Sequence, residues 1–188
     1  MRDQKTSELA RTPNARNAYT MRKLAAKVHK LNERWWRDIH TGKPIDRDSH
    51  GLLMLVITEL AEAAEGVRKG LKDDKLPHRS MEEVEMADAA IRLLDFIGGK
   101  RVAPPPFAKT PISVMSKDKL AGLLAVSGKV FNASFYLPGV YSALIAIQHY
   151  CEAHRLDLWA AVSEKLEYNK TRRDHTHEAR RAAGGKKL

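Results

Sequence analysis

The sequence predicts an all-α protein. Apolar residues recur every three or four positions through most of the chain, and no segment shows the convincing alternation of apolar and polar residues that marks a half-buried strand. Residues that favour helix starts precede several of these segments, and glycine or proline follows them. The chain has 188 residues, 43% of them apolar, which fits one domain with a buried core. We expect a bundle of four core helices with one further helix inserted.

Six helical segments follow from this pattern. The first is long and amphipathic and stops before a Gly-Lys-Pro sequence. The second begins at Ser49, after Asp48 as a potential cap, and ends at Gly70. The third begins after Ser80, and Glu83 completes a capping-box pattern there. The six predicted helices span residues 15–39, 49–69, 81–99, 117–132, 140–154 and 157–170.

Charge and proline content predict how the chain is organised. Residues 1–12 are polar without periodicity and predict a flexible basic arm, residues 13–172 predict a single all-α domain, and residues 173–188 predict a basic tail. Four prolines between residues 101 and 111 exclude helix there. The formal net charge is +10, with basic residues concentrated at both ends and acids between residues 59 and 95. This balance predicts an anionic partner without identifying it.

The sequence also predicts a cytoplasmic protein. The longest aliphatic run, residues 52–57, is far shorter than the ~20 residues of a membrane span, and no apolar signal segment is found near residue 1. Cys151 is the single cysteine, so no internal disulfide can form. Its helical setting beside alanine favours a buried apolar role over a nucleophilic one.

Two pairs of acids are the strongest chemical signal. Glu59 and Glu62 lie three residues apart on the second predicted helix, and Glu85 and Asp88 have the same spacing on the third. Each pair therefore projects from one helix face, and an antiparallel hairpin brings all four carboxylates together. Two charges about 6 Å apart repel by roughly 3 kcal/mol at an effective dielectric of about 20. Such a cluster needs protons or a cation, and oxygen ligands favour Mg²⁺, Mn²⁺ or Ca²⁺.

The same acids have a structural interpretation. They can form a solvated helix face with salt bridges, and Asp88 and Arg92 are well spaced for one. Two matching pairs on consecutive helices favour the metal site over that interpretation. Glu65 lies nearly opposite the apolar face of its helix and therefore ranks below Glu59 as a site residue. Asp95 shares the polar stripe of Glu85 and Asp88.

The two tryptophans at positions 35 and 36 cannot both enter one core. Adjacent residues diverge by about 100° around a helix. We expect Trp35 to pack in the core, and Trp36 to be the one available to stack on a base. Asn32, one turn earlier, is placed to hydrogen-bond a sugar or base. His175 and His177 are expected in an exposed loop, because no third histidine or cysteine completes a zinc site.

Four segments extend the acidic pattern into a longer one. They are NERWW at residues 32–36, ELAEA at 59–63, EMAD at 85–88 and KLEYNKTR at 165–172. This combination resembles the MazG-like all-α nucleoside triphosphate pyrophosphohydrolases of phages and bacteria, which are related to the dimeric dUTPases. Residues 101–136 depart from the family pattern and are expected to be an insertion. The resemblance implies the helical bundle of that family and, for a phage protein, the host cytoplasm.

The resemblance also implies a chemistry. Members of the family cleave a nucleoside triphosphate between its α- and β-phosphates, with Mg²⁺, or Mn²⁺ as a substitute, as cofactor. The four acids Glu59, Glu62, Glu85 and Asp88 are then the expected metal ligands, with Glu59 or Glu62 as the catalytic base and Asp95 supporting them. The expected phosphate-binding residues are Lys165, Asn169, Lys170 and Arg172, and the expected base-binding or sugar-binding residues are Asn32 and Trp36. The family also implies a homodimer or homotetramer.

Two other functions stay open at this point. A non-enzymatic helical protein can bind nucleic acid through its basic ends while the acids serve structure. The sequence lacks a recognisable reading helix and the aromatic and basic interleaving of nucleic-acid modules, so nucleic acid ranks below a nucleotide as partner. An enzyme of the same fold can also act on a modified or signalling nucleotide.

Overall fold

The computed structural model describes residues 18–105, 116–182 and Gly184, and in this part of the chain it contains seven α-helices and no strand. The predicted all-α class is therefore confirmed. The predicted arm at residues 1–12, part of the predicted insertion and the last four residues lie outside the described residues. The helices are α1 (Ala18–Asn32), α2 (Ser49–Lys69), α3 (Met81–Gly99), α4 (Lys119–Ala133), α5 (Gly139–Ala153), α6 (Leu158–Thr171) and α7 (His177–Arg181).

Local capping residues determine where the central helices begin and end. The Asp48 carboxylate accepts a hydrogen bond from the Gly51 N–H at 2.5 Å and starts α2. Gly70 ends α2 in the left-handed conformation, with φ of 63°. The Ser80 hydroxyl caps α3, but the Glu83 carboxylate does not close the predicted capping box. It accepts instead from the Asp157 N–H at 2.6 Å, so it links α3 to the start of α6.

Helix α3 is the centre of the bundle and packs against α1, α2, α5 and α6. Small residues allow the close approach, because Ala87, Ala89 and Ala90 are fully buried. Gly98 is the tightest contact with α1. A Cβ at this position would lie 2.5 Å from the Cβ of His29 and 2.7 Å from the carbonyl oxygen of Ala25. The C-terminal end of α3 is thereby held close against α1.

The first predicted helix is shorter in the structure than in the sequence analysis. Helix α1 ends at Asn32, and Glu33–Trp36 form a 3₁₀ turn, where the sequence predicts continuous helix to residue 39. The other five predicted helices are confirmed to within two residues at each end. A 3₁₀ turn rotates about 120° per residue instead of 100°, so it changes which side chains face the core. Trp36 is buried there, against Gly99 of α3.

Helix α4 is the helix predicted within the insertion, and it packs on α5 and α2. Its inner face is buried through Leu123, Val126 and Val130. The outer face and the following turn are unusually apolar. More than half of the surface is exposed for Leu124, Phe131, Phe135 and Tyr136. Contiguous exposed apolar surface of this kind is typical of interaction sites.

The structure also bears on membrane association and on the single cysteine. None of the helices in the described part of the chain has the length and apolar content needed to cross a membrane. Cys151 of α5 is 1% exposed, and burial raises its pKa well above that of an ordinary thiol. The prediction that Cys151 is a buried apolar residue is confirmed.

Candidate functional site

The hairpin of α2 and α3 brings three of the four predicted acids together. Glu59 of α2 and Glu85 and Asp88 of α3 each place one carboxylate oxygen within 4.8 Å of the other two. Glu59 and Glu85 are each only 6% exposed. Two ionised carboxylates at such a separation repel by roughly 3 kcal/mol at an effective dielectric of about 20. We refer to Glu59, Glu85 and Asp88 as the acidic trio.

The fourth predicted acid, Glu62, lies beside the trio. It is exposed on α2, and its carboxylate does not belong to the converging group. A step of three residues turns the side-chain direction by about 60°, so Glu62 cannot point into the bundle together with Glu59. Partial burial and the charge of Glu59 raise the pKa of Glu62. Glu62 is thus electrostatically coupled to the trio, at its solvent side.

Two cations contact the trio. The Lys165 ammonium, 2% exposed, lies 2.8 Å from a carboxylate oxygen of Asp88. The Arg92 guanidinium pairs with Glu59, not with Asp88 as the helical spacing suggested. The spacing within α3 therefore predicted the wrong partner for Arg92, because the hairpin places Glu59 of α2 across from it. Two of the three carboxylates therefore have an internal counter-charge.

The electrostatics of the trio follow from burial and from crowding. Burial raises the pKa of Glu85 to about 9, and the Asp88 charge and a hydrogen bond with Glu59 act in the same direction. Burial raises the pKa of Asp88 to about 6, although the Lys165 charge lowers it. Burial and crowding thus favour the protonated form of Glu85 when no divalent cation is bound. The trio is then balanced by this proton, Lys165 and Arg92.

A cavity of about 280 Å³ opens next to the trio, and Asp88 lies in its wall. Its lining comes from five parts of the chain: the end of α1 with the 3₁₀ turn that follows, the segment before α2, α2 itself, α3, and the end of α6 with the turn after it. It combines an aromatic surface, two amides and three guanidinium groups. Among the lining residues are Asn32, Trp35, Arg47, Arg92, Asn169 and Arg172.

The structure reverses the predicted roles of the two tryptophans. Trp36 is 7% exposed, and its indole N–H donates to Asp95 at 3.0 and 3.1 Å. Trp36 is therefore a core residue and does not line the cavity, contrary to its predicted contact with a base. Trp35 is partly buried and lines the cavity in its place. The 3₁₀ turn explains the exchange, because it rotates Trp36 under α3 and Trp35 outward.

The predicted phosphate-binding residues separate into two groups. Asn169 and Arg172 line the cavity, and the Asn169 side-chain oxygen is buried without a hydrogen-bond partner among the described residues. Arg172 forms a two-pronged pair with Asp174 at 2.9 and 2.6 Å. Lys165 contacts Asp88, and Lys170 is exposed and pairs with Glu167 at 2.5 Å. Lys170 does not line the cavity, because its side chain lies on the exposed face of α6.

Asp95 of α3 contacts α1 and the 3₁₀ turn, and its predicted role in supporting the metal ligands stays a prediction. It lines the cavity one turn beyond Arg92 and is 7% exposed. Besides the Trp36 indole, the His29 ring is hydrogen-bonded to Asp95 at 2.8 Å. The carboxylate therefore connects α1 and the 3₁₀ turn to α3. It holds the Trp36 indole in place against α3.

Three residues at this site were missed by reasoning from the sequence. Arg92 was treated as an ion-pair partner of Asp88, and Arg47 was not considered. His175, expected in an exposed loop, lies in a 3₁₀ turn and contacts Trp35 edge-on at 5.1 Å. No local spacing identifies Arg47 or His175, because their neighbours in space are far away in sequence.

Comparisons of the chain with protein-family models, with curated proteins and with solved structures found no match in any of the three. The resemblance to MazG-like enzymes accordingly rests on the motif residues alone. What the structure adds is independent of it: a buried acidic trio beside a cavity with an aromatic wall, amides and arginines.

Proposed function

We propose that this chain is a Mg²⁺-dependent nucleotide pyrophosphohydrolase that converts a nucleoside triphosphate, with ribose or deoxyribose, to the monophosphate and pyrophosphate. One observation carries the proposal. Asp88 of the acidic trio lies in the wall of a cavity that also holds an indole surface, two amides and cationic side chains. Carboxylates suit a divalent cation, an indole suits a base, and guanidinium groups suit phosphate oxygens.

The donor set of the trio fits Mg²⁺, with Mn²⁺ as a substitute. All three groups offer hard carboxylate oxygens, which these ions prefer over nitrogen or sulfur. Glu59, Glu85 and Asp88 would hold the ion, and Glu62 stands beside them. When bound, a divalent cation neutralises the crowded acids, polarises a phosphoryl oxygen and makes a coordinated water more acidic.

The chain's own residues supply binding and proton transfer. Trp35 stacks on the base, and Asn32 hydrogen-bonds base or sugar, which replaces the role predicted for Trp36. Arg172 and Asn169 contact the phosphates. Glu62, exposed beside Glu59, takes the proton of the attacking water. The water oxygen bonds to one of the two phosphorus atoms of the α,β-anhydride, the bond of that atom to the bridging oxygen breaks, and the monophosphate and pyrophosphate separate.

The test is release of pyrophosphate from a panel of ribonucleoside and deoxyribonucleoside triphosphates in Mg²⁺, with modified and signalling nucleotides included. We expect Glu59→Gln and Asp88→Asn each to lower the rate by about 100-fold or more, the loss typical for removal of an electrostatic catalytic group. Glu65→Gln is the matched control, because Glu65 lies on the same helix but pairs with Lys69 and Arg68 at the surface. No turnover of any nucleotide, or full activity in both variants, contradicts the proposal.

The alternative is a nucleic-acid-binding protein in which the acids serve structure. The pairing of Arg92 with Glu59 and of Lys165 with Asp88 favours it, since these ion pairs stabilise the cluster without a metal. This function predicts salt-sensitive binding of single-stranded or duplex nucleic acid that survives Glu59→Gln. A filter-binding titration at two salt concentrations separates it from the enzyme.

We also propose that the protein acts as a homodimer or homotetramer in the cytoplasm. The exposed apolar residues of α4 and the following turn support self-association. A single buried cysteine supports a reducing compartment, where nucleoside triphosphates are abundant.

A further inference from the structure

Arg47 is a buried cation in the wall of the cavity. It lies in the segment between the first 3₁₀ turn and α2, directly before the Asp48 cap. Its residue surface is only 7% exposed, and it lines the cavity. The guanidinium carbon lies 5.6 Å from the centre of the Trp36 ring. Arg47 is thus positioned by its stacking on Trp36 and by its place next to the Asp48 cap of α2.

Arg47 has no counter-ion among the described residues. It forms no ion pair and no hydrogen bond with them, and its guanidinium stacks on the Trp36 ring. The negative charge of Asp95 raises the pKa of Arg47, but the Asp95 carboxylate makes its hydrogen bonds to Trp36 and His29. The other two arginines of the cavity differ. Arg92 pairs with Glu59, and Arg172 pairs with Asp174.

Such an arrangement is costly in the free protein. Buried charges are normally paired, because removing an ion from water is not repaid without a partner. Burial accordingly lowers the pKa of Arg47; the charge of Asp95 opposes this shift, and the charges of Arg92 and Arg180 add to it. The buried Asn169 oxygen without a partner lies in the wall of the same cavity. Both groups have bonds left to make toward the cavity.

We propose that Arg47 binds phosphate oxygens of the ligand in this cavity through a forked pair of hydrogen bonds. The planar guanidinium offers two parallel N–H groups, which match two oxygens of one phosphate. That the phosphate belongs to a nucleotide rests on the proposed function, whereas the anion site itself does not. Asn169 then accepts a hydrogen bond from a donor of the same ligand, such as a sugar hydroxyl.

The first test is calorimetric titration of the full chain with inorganic tripolyphosphate in EDTA, so that no metal takes part. We expect Arg47→Gln to weaken binding by about tenfold to hundredfold, as for loss of a charged hydrogen-bonded pair. Arg47→Lys keeps the charge without the fork and should fall between. Arg68→Gln is the control, because Arg68 is 64% exposed on α2, and it should bind like wild type. Unchanged binding in Arg47→Gln, or no binding by wild type, overturns the proposal.

The second test is thermal unfolding of the ligand-free protein. If Arg47 serves a ligand, Arg47→Met removes an uncompensated buried charge and should match or exceed the wild-type midpoint. If Arg47 is instead structural, loss of its contact with Trp36 lowers the midpoint, and the proposal is wrong. A failed pyrophosphohydrolase assay leaves both tests standing. Conversely, if the wild-type protein is an active pyrophosphohydrolase but Arg47→Gln binds tripolyphosphate normally, the anion site at Arg47 is refuted and the proposed function is not.

Discussion

The pair between Lys165 and Asp88 makes a sharp prediction about the acidic trio. Lys165 is 2% exposed and the Asp88 side chain is 18% exposed, with 2.8 Å between ammonium and carboxylate. Replacing Lys165 by methionine keeps most of the side-chain volume and removes the charge. Asp88 is then left beside Glu59 and Glu85 without its own cation. Breaking a buried pair in this way costs about 3–5 kcal/mol.

We expect the low end of that range, about 3 kcal/mol, because Asp88 retains some contact with water and Glu85 can hold a proton. For a chain of this length, a loss of 1 kcal/mol lowers the unfolding midpoint by about 2–4 °C, so Lys165→Met in EDTA should lose roughly 6–12 °C. Lys170→Met is the control. Its side chain is 50% exposed and pairs only with Glu167 on the same helix, so we expect less than about 0.5 kcal/mol.

Mg²⁺ should reverse part of the loss. At 100 times its dissociation constant, a ligand of the folded state adds about 2.7 kcal/mol of stability. Removing Lys165 removes a positive charge that competes with the metal, and a tenfold tighter site adds about 1.4 kcal/mol more. Thermal unfolding in EDTA and in Mg²⁺, for wild type and variant, measures this difference. If the difference in unfolding midpoint between wild type and Lys165→Met is the same in EDTA and in Mg²⁺, or is absent in EDTA, Lys165 does not act as the counter-charge of Asp88 at a metal site.

Three further predictions concern packing, pH and association. Gly98→Ala places a Cβ 2.5 Å from the Cβ of His29, and we expect it to cost about 1–3 kcal/mol in urea unfolding; Gly128→Ala, with nothing within 4 Å, should cost nothing. Hydrogen bonds from Arg79 and His78 lower the pKa of Glu164 to about 2, below its unfolded value of 4.5, so this group's stabilisation is present above pH 4.5 and is lost as the pH falls toward 2. Glu164→Gln should reduce the loss of unfolding free energy between pH 6 and pH 3, measured by urea titration at pH 6, 4 and 3. An equally large loss in the variant counts against the ion pair between Glu164 and Arg79. Phe135→Lys should dissociate the proposed oligomer in sedimentation velocity, whereas Met54→Lys, at an exposed position of α2, should not. If the wild-type protein sediments as a monomer, the proposed self-association through α4 and the following turn is wrong.

Local interactions made much of the fold predictable from the sequence. Asp48, Gly70 and Ser80 act on backbone groups within a few residues, so the bounds of α2 and α3 follow from their identity and spacing. The acidic pairs are readable for the same reason, because a spacing of three positions on a helix holds in any tertiary context. The convergence of Glu59, Glu85 and Asp88 needed only that consecutive helices form a hairpin, whereas Glu62 is turned to the solvent side of α2.

The tertiary structure alone decided which side chains meet. Trp36 is in the core because α3 offers it Asp95 and room at Gly99, and this contact also ends the regular helix near Asn32. Lys165 is bound to Asp88 because α6 packs on α3 there. Arg47 is a cation without a counter-ion because of what the fold places around it. Helix ends and faces depend on neighbours in the chain, whereas ion pairing and burial depend on neighbours in space, which the sequence does not display.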